Sequence, residues 1–240
     1  MDLGLKDRVA LVTAGSQGLG YASAAALAAE GARVAITGRT VDVLDSAAER
    51  LREEHGADVL ALAGDITDPA EPARVIEAVT GRFGGLDVLV ANAGGPPPGR
   101  ALDVTDDQVL AAVNANMLTT IRLVRLALPH LEASGQGRIC AITSASVVQP
   151  IPGLSLSNLS RVGLWGWAKT AAQDLVGRDI TLNLICPGLH ATDRMTSLGM
   201  NGRAGDPGDF GRAVAFLCSS SAAFITATTL VVDGGANLGL

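Results

Sequence analysis

Short, nearly continuous apolar runs alternate with longer stretches of helical periodicity along the whole chain. Such runs are typical of parallel strands that are covered on both faces of a sheet. The predicted strands are Arg8–Ala14, Arg33–Thr37, Asp58–Ala63, Leu86–Asn92, Gly137–Thr143, Ile180–Cys186 and Thr228–Val232. The periodic stretches between them predict helices at Leu19–Glu30, Val41–His55, Ala70–Arg82, Asp106–Ala133, Ser157–Val176 and Pro207–Ser219.

Capping signals and element order extend this pattern to a fold class. Gly31 and Gly56 are predicted C-caps, whereas Thr67-Asp68-Pro69 and Asp206-Pro207 predict helix starts. The alternation of strands and helices predicts one α/β domain over residues 1–240, with a Rossmann-type, doubly wound, seven-stranded parallel sheet. Ligands of such sheets bind at the carboxyl ends of the strands, so residues that follow the strands are the functional candidates.

Composition excludes several classes of protein. Apolar residues make up 48% of the chain and charged residues 18%, which suffices for a large core without disulfides. The net charge of −6 argues against nonspecific nucleic-acid binding. Cys140, Cys186 and Cys218 lack metal-like or paired spacing, so we expect core thiols and no metal site. No signal peptide or uninterrupted membrane-length apolar run is recognisable, and we expect a cytoplasmic protein without membrane contacts.

A glycine-rich turn follows the first predicted strand and opens an alanine-rich helix. Small residues there let the backbone approach a pyrophosphate, which the amides and dipole of the helix N-terminus attract. The context of strand, turn and helix favours dinucleotide binding over a glycine turn without a ligand. The candidate phosphate-binding residues are Gly15, Ser16, Gln17, Gly18 and Leu19.

Arg39 follows the second predicted strand, where an NAD site usually carries a carboxylate for the ribose 2′-hydroxyl. An arginine at this place accommodates a 2′-phosphate instead. NADP(H) is therefore the favoured cofactor and NAD(H) the alternative. A solvated surface arginine without a ligand is the other interpretation of Arg39.

The whole chain resembles the short-chain dehydrogenase/reductase family through motifs in a fixed order. Thr13-Ala14-Gly15-Ser16-Gln17-Gly18-Leu19-Gly20 is similar to the family's phosphate loop, with Ala14 in place of its first glycine. The later motifs are Gly64-Asp65-Ile66, Asn92-Ala93-Gly94, Ile142-Thr143-Ser144, Cys186-Pro187-Gly188 with Thr192, and Val232-Asp233-Gly234-Gly235.

The resemblance implies a role for each matched residue. Asp65 and Ile66 would contact adenine, and Asn92, Ala93 and Gly94 would form the turn beside the cofactor. Asn114 would support a proton relay, and Ser144 would orient the substrate. Pro187, Gly188, His190 and Thr192 would hold the nicotinamide carboxamide region.

The sequence departs from the family at its catalytic Tyr-x-x-x-Lys motif. Counting from Ser144, the chain reads Ser157-Asn158-Leu159-Ser160-Arg161, so Ser157 and Arg161 replace the tyrosine and the lysine. Tyr21 lies beside the phosphate loop, and Lys6 and Lys169 are the only lysines. An aliphatic hydroxyl is far less acidic than a phenol, and losing a matched acid–base group costs about 10²–10⁴-fold in rate. Arg161 can still bind ribose hydroxyls or polarise a carbonyl, but it does not readily exchange protons.

His190 is the alternative acid–base group, weighed against a loop histidine that faces solvent, which we favour. The Gly94–Arg100 glycine–proline loop and the Ser-Asn-x-x-Arg pattern resemble a divergent branch of the family near the β-ketoacyl reductases. A short substrate loop is expected around residues 191–209. Such a loop leaves the pocket open or requires a partner subunit to close it.

Two functions remain open at this point. One is an NADP(H)-dependent oxidoreductase that acts on a small-molecule carbonyl/alcohol pair, with proton transfer completed by water or His190. The other is a catalytically inactive NADP(H)-binding sensor, or the partner subunit of an active paralogue. A drifted fold with an empty cofactor site is a third interpretation, which the intact loop disfavours. The resemblance also implies a homotetramer. The apolar long helices, with Trp165 and Trp167, likewise predict a homo-oligomer, either a dimer or a tetramer.

Overall fold

The computed structural model describes residues 1–237, and they form a seven-stranded, all-parallel sheet. The strand order is β3-β2-β1-β4-β5-β6-β7, so the direction of winding reverses between β1 and β4. The bounds are β1 Val9–Val12, β2 Arg33–Gly38, β3 Val59–Ala63, β4 Val88–Ala91, β5 Arg138–Ile142, β6 Thr181–Pro187 and β7 Thr229–Val232. The predicted doubly wound α/β fold is thereby confirmed, and the crevice at the reversal is where such sheets bind ligands.

Helices cover both faces of this sheet. They are α1 Gly18–Ala29, α2 Val41–His55, α3 Glu71–Phe83, α4 Asp106–Val113, α5 Thr119–Ser134, α6 Ser155–Asp174, α7 Asp193–Ser197 and α8 Pro207–Leu217. A π turn at Asn114–Leu118 and 3₁₀ turns at Ala145–Val147 and Ser220–Ala222 complete the described elements.

Alternate residues of the central strands point into two separate cores, as the pleat requires. Leu27 of α1, Leu51 of α2 and Phe210 of α8 pack on one face with Val12 and Ile36. The other face carries α3, α5 and α6, whose buried residues include Val79, Leu123 and Ala168. Both faces are therefore apolar, which explains why the strands have continuous hydrophobic runs rather than alternating ones.

The single long helix predicted at 106–133 is wrong in one respect. A π turn at Asn114–Leu118 separates α4 from α5, because one extra residue is accommodated between two regular helical segments. The combined segment Asp106–Ser134 has the length and apolarity of a membrane span. Its Leu123, Ala127 and Leu131 are buried against the sheet, and it carries Arg122 and Arg125, which is typical of a core helix.

Two predicted helix ends also shift. The predicted start at Thr67-Asp68-Pro69 is wrong, because these residues form a turn and α3 begins at Glu71 with Pro72 in its first turn. The predicted C-cap at Gly31 moves by one position, since Glu30 is the C-cap of α1 and Gly31 follows with φ of +81°. The start at Asp206 is confirmed: its carboxylate accepts a hydrogen bond from the Gly208 N–H at 2.7 Å.

Candidate functional site

The exits of β1 and β4 are tied together by Thr13 and Asn92. The Thr13 hydroxyl donates to the Asn92 carbonyl at 2.7 Å and accepts from the Asn92 N–H at 2.9 Å. The Asn92 side-chain amide donates in turn to the Ala14 carbonyl at 3.2 Å. Asn92 thus holds the glycine-rich turn in place through its side chain, at the point where the sheet reverses direction.

The glycine-rich turn leaves the N-terminus of α1 open. Gly15 donates its N–H to the Thr37 carbonyl at 2.9 Å, which bends the chain away from β1. The N-cap residue Gln17 makes no side-chain cap, and the first turn of α1 carries no acidic residue. The N–H groups of this turn are therefore available to an anion, together with the helix dipole.

Two positions of this turn show why the family motif requires glycine. A Cβ atom on Gly20 would lie 2.1 Å from the Ala14 carbonyl oxygen and 2.7 Å from the Asn92 Nδ2. Ala14, which stands where the family has its first glycine, adopts φ of +47°. An alanine in this left-handed conformation costs about 1–2 kcal/mol, so the substitution destabilises the turn without preventing its formation.

Arg39 and Asp65 lie at the neighbouring exits of β2 and β3, which the hydrogen bond from the Gly64 N–H to the Gly38 carbonyl joins at 3.0 Å. Asp65 accepts bonds from the Thr67 N–H and hydroxyl at 3.0 and 2.8 Å. The Thr67 N–H bond lowers the pKa of Asp65, and the Arg39 charge lowers it further. Arg39 is exposed, and no ion pair within residues 1–237 engages it. This geometry is compatible with a 2′-phosphate beside Arg39.

Arg161 occupies the exits of β4 and β5 from the middle of α6, and only 6% of the residue is exposed. Its guanidinium donates to the Ile142 carbonyl at 2.6 Å and to the Ala93 carbonyl at 3.4 Å. The buried Nε has no partner among the described residues. Burial lowers the pKa of Arg161 to about 10, and the nearby charge of Arg194 adds to this effect. A buried cation with one N–H that no described group satisfies therefore lies at the exits of the two strands.

Ser144 and Ser157 flank this cation. Ser144 follows β5, and its Oγ accepts from the Ser146 N–H at 3.1 Å, which caps the short turn on which α6 packs. Ser157 lies one helical turn before Arg161 and is half-buried, so the two share a face of α6. The Ser157 hydroxyl donates no hydrogen bond within residues 1–237. It is available to a substrate oxygen.

The side chain of Asn114, to which the resemblance gives a proton-relay role, is engaged in two other contacts. Its Nδ2 donates to the Thr67 carbonyl at 2.9 Å, and its Oδ1 accepts from Arg122 at 2.7 Å. Asn116, two residues further on in the same π turn, is 1% exposed and has a buried Oδ1 without a partner in the described part of the chain. Sequence reasoning missed Asn116, because a regular helix gave no reason to prefer it over Asn114. The π turn is the signal that separates them, and π turns often mark functional sites.

His190 is buried rather than solvent-facing, so the favoured interpretation from the sequence is wrong. Only 4% of it is exposed, and its ring meets Phe210 of α8 edge-on at 5.2 Å between centroids. Its Nδ1 lies 3.2 Å from the Gly188 carbonyl oxygen. Backbone bonds between Gly205 and residues Leu189 and Ala191 close the segment 191–204 at its base. His190 thus anchors the base of the predicted substrate loop.

Thr192 joins the β6 exit to the phosphate loop. A Cβ atom on Gly18 would lie 3.7 Å from the Thr192 Cγ2, so the two segments face each other across the crevice. Pro187 ends β6, and the Gly188 N–H donates to the Val232 carbonyl at 2.9 Å. A Cβ atom on Gly188 would lie 2.5 Å from the Asp233 Cβ, which explains a glycine at this crossing.

The tyrosine and the second lysine lie outside this site. Tyr21 packs beneath Arg50 of α2, whose guanidinium lies 4.5 Å from the ring centroid, and burial raises the Tyr21 pKa. Lys169 donates to the Ala227 carbonyl next to β7 and lies above Trp165. Neither residue can substitute for the pair at Ser157 and Arg161. Among residues 1–237, no cluster of three His, Cys, Asp or Glu side chains could hold a metal ion.

Comparison with known proteins assigns this chain to a family. The family model described as enoyl-(acyl carrier protein) reductase matches residues 13–237. Human dehydrogenase/reductase SDR family member 4 is 33% identical over 96% of this chain and 88% of its own length. The chain belongs to the short-chain dehydrogenase/reductase family.

Further relatives of this short-chain dehydrogenase/reductase are bacterial. The 3-oxoacyl-(acyl-carrier-protein) reductase FabG of Escherichia coli K12 is 31% identical over 97% of this chain and 98% of its own length. The crystal structure of L-sorbose reductase from Gluconobacter frateurii, complexed with NADPH and L-sorbose, matches with a TM-score of 0.95 at 31% identity. That match covers 100% of both chains. These relatives are reductases, so the family to which the chain belongs contains oxidoreductases.

Proposed function

We propose that this short-chain dehydrogenase/reductase is an NADP(H)-dependent oxidoreductase that acts on a carbonyl/alcohol pair through a modified proton-transfer site. The observation that carries the proposal is Arg161, a buried cation with an unpaired Nε at the exits of β4 and β5. The similarity to a reductase complexed with NADPH supports the choice of cofactor.

The residues present fit the phosphates and the nicotinamide ribose of a dinucleotide cofactor along the crevice. The uncapped N-terminus of α1 would hold the pyrophosphate, and the exposed Arg39 would pair with the 2′-phosphate. The donors of Arg161 would bind the ribose next to the nicotinamide, as the family's lysine does. NADP(H), when bound, supplies the hydride.

The side chains around Arg161 can position a substrate but are poor acids. Ser157 has an available hydroxyl, and Ser144 keeps its own O–H as a donor while its Oγ accepts from Ser146. Both can bind a substrate oxygen as neutral donors. Arg161 stabilises negative charge that develops on that oxygen, and such stabilisation strengthens where water is excluded. His190 is committed to Phe210 and Gly188, so we propose that water delivers the proton.

The second candidate is a catalytically inactive NADP(H)-binding sensor or partner subunit. The specific observation that favours it is that, within residues 1–237, no accessible acid replaces the missing phenol beside Arg161, since the nearby Cys186 thiol is buried and burial raises its pKa. Under this alternative, Arg161 and Arg39 would still bind the cofactor. The two functions therefore share a binding site and differ only in turnover.

The experiment measures binding and turnover separately. Thermal unfolding with NADPH and with NADH reports binding, because a ligand specific to the native state raises its stability. Arg39→Glu is expected to weaken NADPH about 10- to 100-fold and to leave NADH nearly unchanged, since a charge-assisted contact is lost. Arg125→Glu makes the same charge change at an exposed arginine of α5 and should alter neither affinity.

Turnover is then followed as NADPH oxidation across aldehydes, ketones and quinones. Oxidation with any of them, above the rate of an Arg161→Met variant, supports the enzyme. Tight NADPH binding without oxidation across the whole panel would favour the sensor or partner subunit. If saturating NADPH leaves the unfolding temperature unchanged, both functions are wrong.

A further inference from the structure

A second arginine reaches the same strand exits from the substrate loop. Arg194 lies on α7, and its Nη2 donates to the Pro96 carbonyl at 2.7 Å. A Cβ atom on Gly95 would lie 2.9 Å from that same nitrogen. The guanidinium therefore lies directly against the backbone of residues 95 and 96, across the crevice from the helix that carries it.

The segment beneath Arg194 is itself fixed. The Gly99 N–H donates to the Gly153 carbonyl at 2.7 Å, and the Ser155 hydroxyl donates to the Gly99 carbonyl at 2.8 Å. The proline-rich loop is thereby fastened to the start of α6. Arg194 therefore contacts a loop whose backbone is held in place by hydrogen bonds to α6 and to Gly153, just before that helix.

Arg161 contacts the same segment three residues earlier, at the Ala93 carbonyl. Three residues span at most roughly 10 Å, so the two guanidinium groups line one short stretch of backbone. Within residues 1–237, no carboxylate lies within 4 Å of either guanidinium. Two cations thus converge without a counter-charge, in a chain whose net charge is −6.

Both arginines retain unused donors. A guanidinium has five N–H groups, of which Arg194 uses one in its contact with Pro96. The buried Nε of Arg161 has no partner in the described chain. An uncompensated buried cation is costly, and an anion that approaches both groups removes part of that cost.

We propose that the substrate carries a carboxylate, which binds to Arg194 beside the carbonyl that Arg161 and the serines position. This inference rests on the proposed function and adds a substrate class to it. Arg194 is the specificity-determining residue, because it belongs to the substrate loop and lies at the open side of the crevice. A carboxylate matches the planar fork of a guanidinium with two parallel hydrogen bonds.

The test compares acids with their methyl esters, with the ketone at the same position in both members of each pair. The probes are 2-oxobutanoate, 3-oxobutanoate and 4-oxopentanoate, each with its methyl ester, titrated calorimetrically into protein saturated with NADP⁺. Oxidised cofactor cannot reduce a ketone, so binding is measured without turnover. We expect at least one acid to bind about tenfold or more tightly than its ester, as a charge-assisted pair predicts.

Two variants assign that preference to Arg194. Arg194→Gln should abolish the preference for the acid and leave NADP⁺ affinity within about threefold, whereas Arg203→Gln, an exposed arginine of the same loop, should keep the preference. Equal binding of acids and esters by the unsubstituted protein overturns the inference. A preference that survives in Arg194→Gln also overturns it, as does a tenfold loss of NADP⁺ affinity with an unchanged preference, since Arg194 would then serve the cofactor's diphosphate.

The two proposals fail in different ways. If NADP⁺ does not bind, the proposed function is wrong, and the same titrations on cofactor-free protein still decide whether Arg194 selects a carboxylate. If NADP⁺ binds and no acid is preferred, only the carboxylate inference is lost.

Discussion

The two ends of the crevice lie along the same edge of the sheet but differ in how their polar groups are satisfied. At the phosphate end, made of residues 13–20, 37–39 and 65, Thr13, Asn92 and Thr37 satisfy the backbone of the turn through hydrogen bonds. At the reaction end, made of residues 144, 157, 161 and 194, the Arg161 Nε has no partner in the described chain. The first end depends on backbone geometry and the second on side-chain chemistry.

This difference explains why the phosphate end departs from the family motif only at Ala14, whereas the reaction end replaces the catalytic pair. A side chain at the phosphate end would collide with backbone, as at Gly20, so variation there is restricted. At the reaction end, Ser157 and Arg161 replace a tyrosine and a lysine while the sheet and helices around them keep their arrangement. Chemistry can therefore change at this end without a change in fold.

The largest expected effect comes from restoring the family pair at the reaction end. Ser157→Tyr with Arg161→Lys should raise NADPH-dependent carbonyl reduction about 10²-fold or more, because a phenol near a cation can donate a proton at neutral pH. Initial rates of NADPH oxidation measure this gain. Ser157→Phe with Arg161→Lys fills the same space without a hydroxyl, and an equal gain in that variant would contradict the explanation.

The phosphate end should respond in stability rather than in chemistry. Gly20→Ala places a methyl group against the Ala14 carbonyl and should destabilise the fold by about 2–3 kcal/mol, with loss of NADPH binding. Gly81→Ala, in α3 with open space around it, should stabilise by roughly 0.5–1 kcal/mol. Denaturant unfolding of both variants checks the contrast. Similar changes in the two would show that the turn is not tightly packed.

Cys186 reports on the interior beneath the reaction end. Burial raises its pKa above the ordinary value of 9.0, although the hydrogen bond with Thr143 and the charges of Arg161 and Lys169 oppose this. A raised thiol pKa means that the contribution of the neutral thiol to stability is fully present below pH 9 and is lost as pH rises above it. At pH 8 we expect disulfide-reagent labelling of native Cys186 to be at least about tenfold slower than in unfolded protein.

The control for this measurement is Cys140→Ser with Cys218→Ser, which leaves Cys186 as the single thiol. Native labelling as fast as in denaturant would place Cys186 in solvent and would contradict its burial.

The smallest effect is expected at Ala14. Ala14→Gly relieves a left-handed alanine, and after the added entropy of the unfolded chain the gain should be up to about 1 kcal/mol. A gain of that size raises the melting temperature by roughly 2–4 °C. Ala227→Gly has a similar φ of +56° away from the phosphate loop and should give a comparable gain. Only the Ala14 variant should alter NADPH affinity, and a destabilised Ala14→Gly would contradict the strain.

The fold could be predicted because its signals are local. Apolar runs such as 180–186 and caps such as Asp206 depend on neighbours in sequence, and the structure has both. The π turn could not be predicted, since one additional residue within a long amphipathic pattern barely changes its periodicity. For the same reason, the sequence could not indicate that Asn116, rather than Asn114, has the unsatisfied buried side chain.

The candidate site was predictable only where function resides in backbone turns. Gly15, Gly18 and Arg39 lie in, or at the end of, the turns that follow β1 and β2, so sequence position determines where they lie. Arg194 gave no such signal, because its contact with Pro96 joins residues 98 positions apart. The burial of His190 likewise depends on Phe210, which a distant helix brings against it.

The closed base of segment 191–204 has an evolutionary consequence. Its ends are held together by the pairing of His190 with Gly205. The length of chain between them therefore does not alter how β6 and the neighbouring strands pair. Doubling the length of such a loop costs only about 0.6 kcal/mol in closure entropy. Insertions and deletions can therefore accumulate here at little thermodynamic expense, and one scaffold can acquire new substrates by exchanging this segment alone.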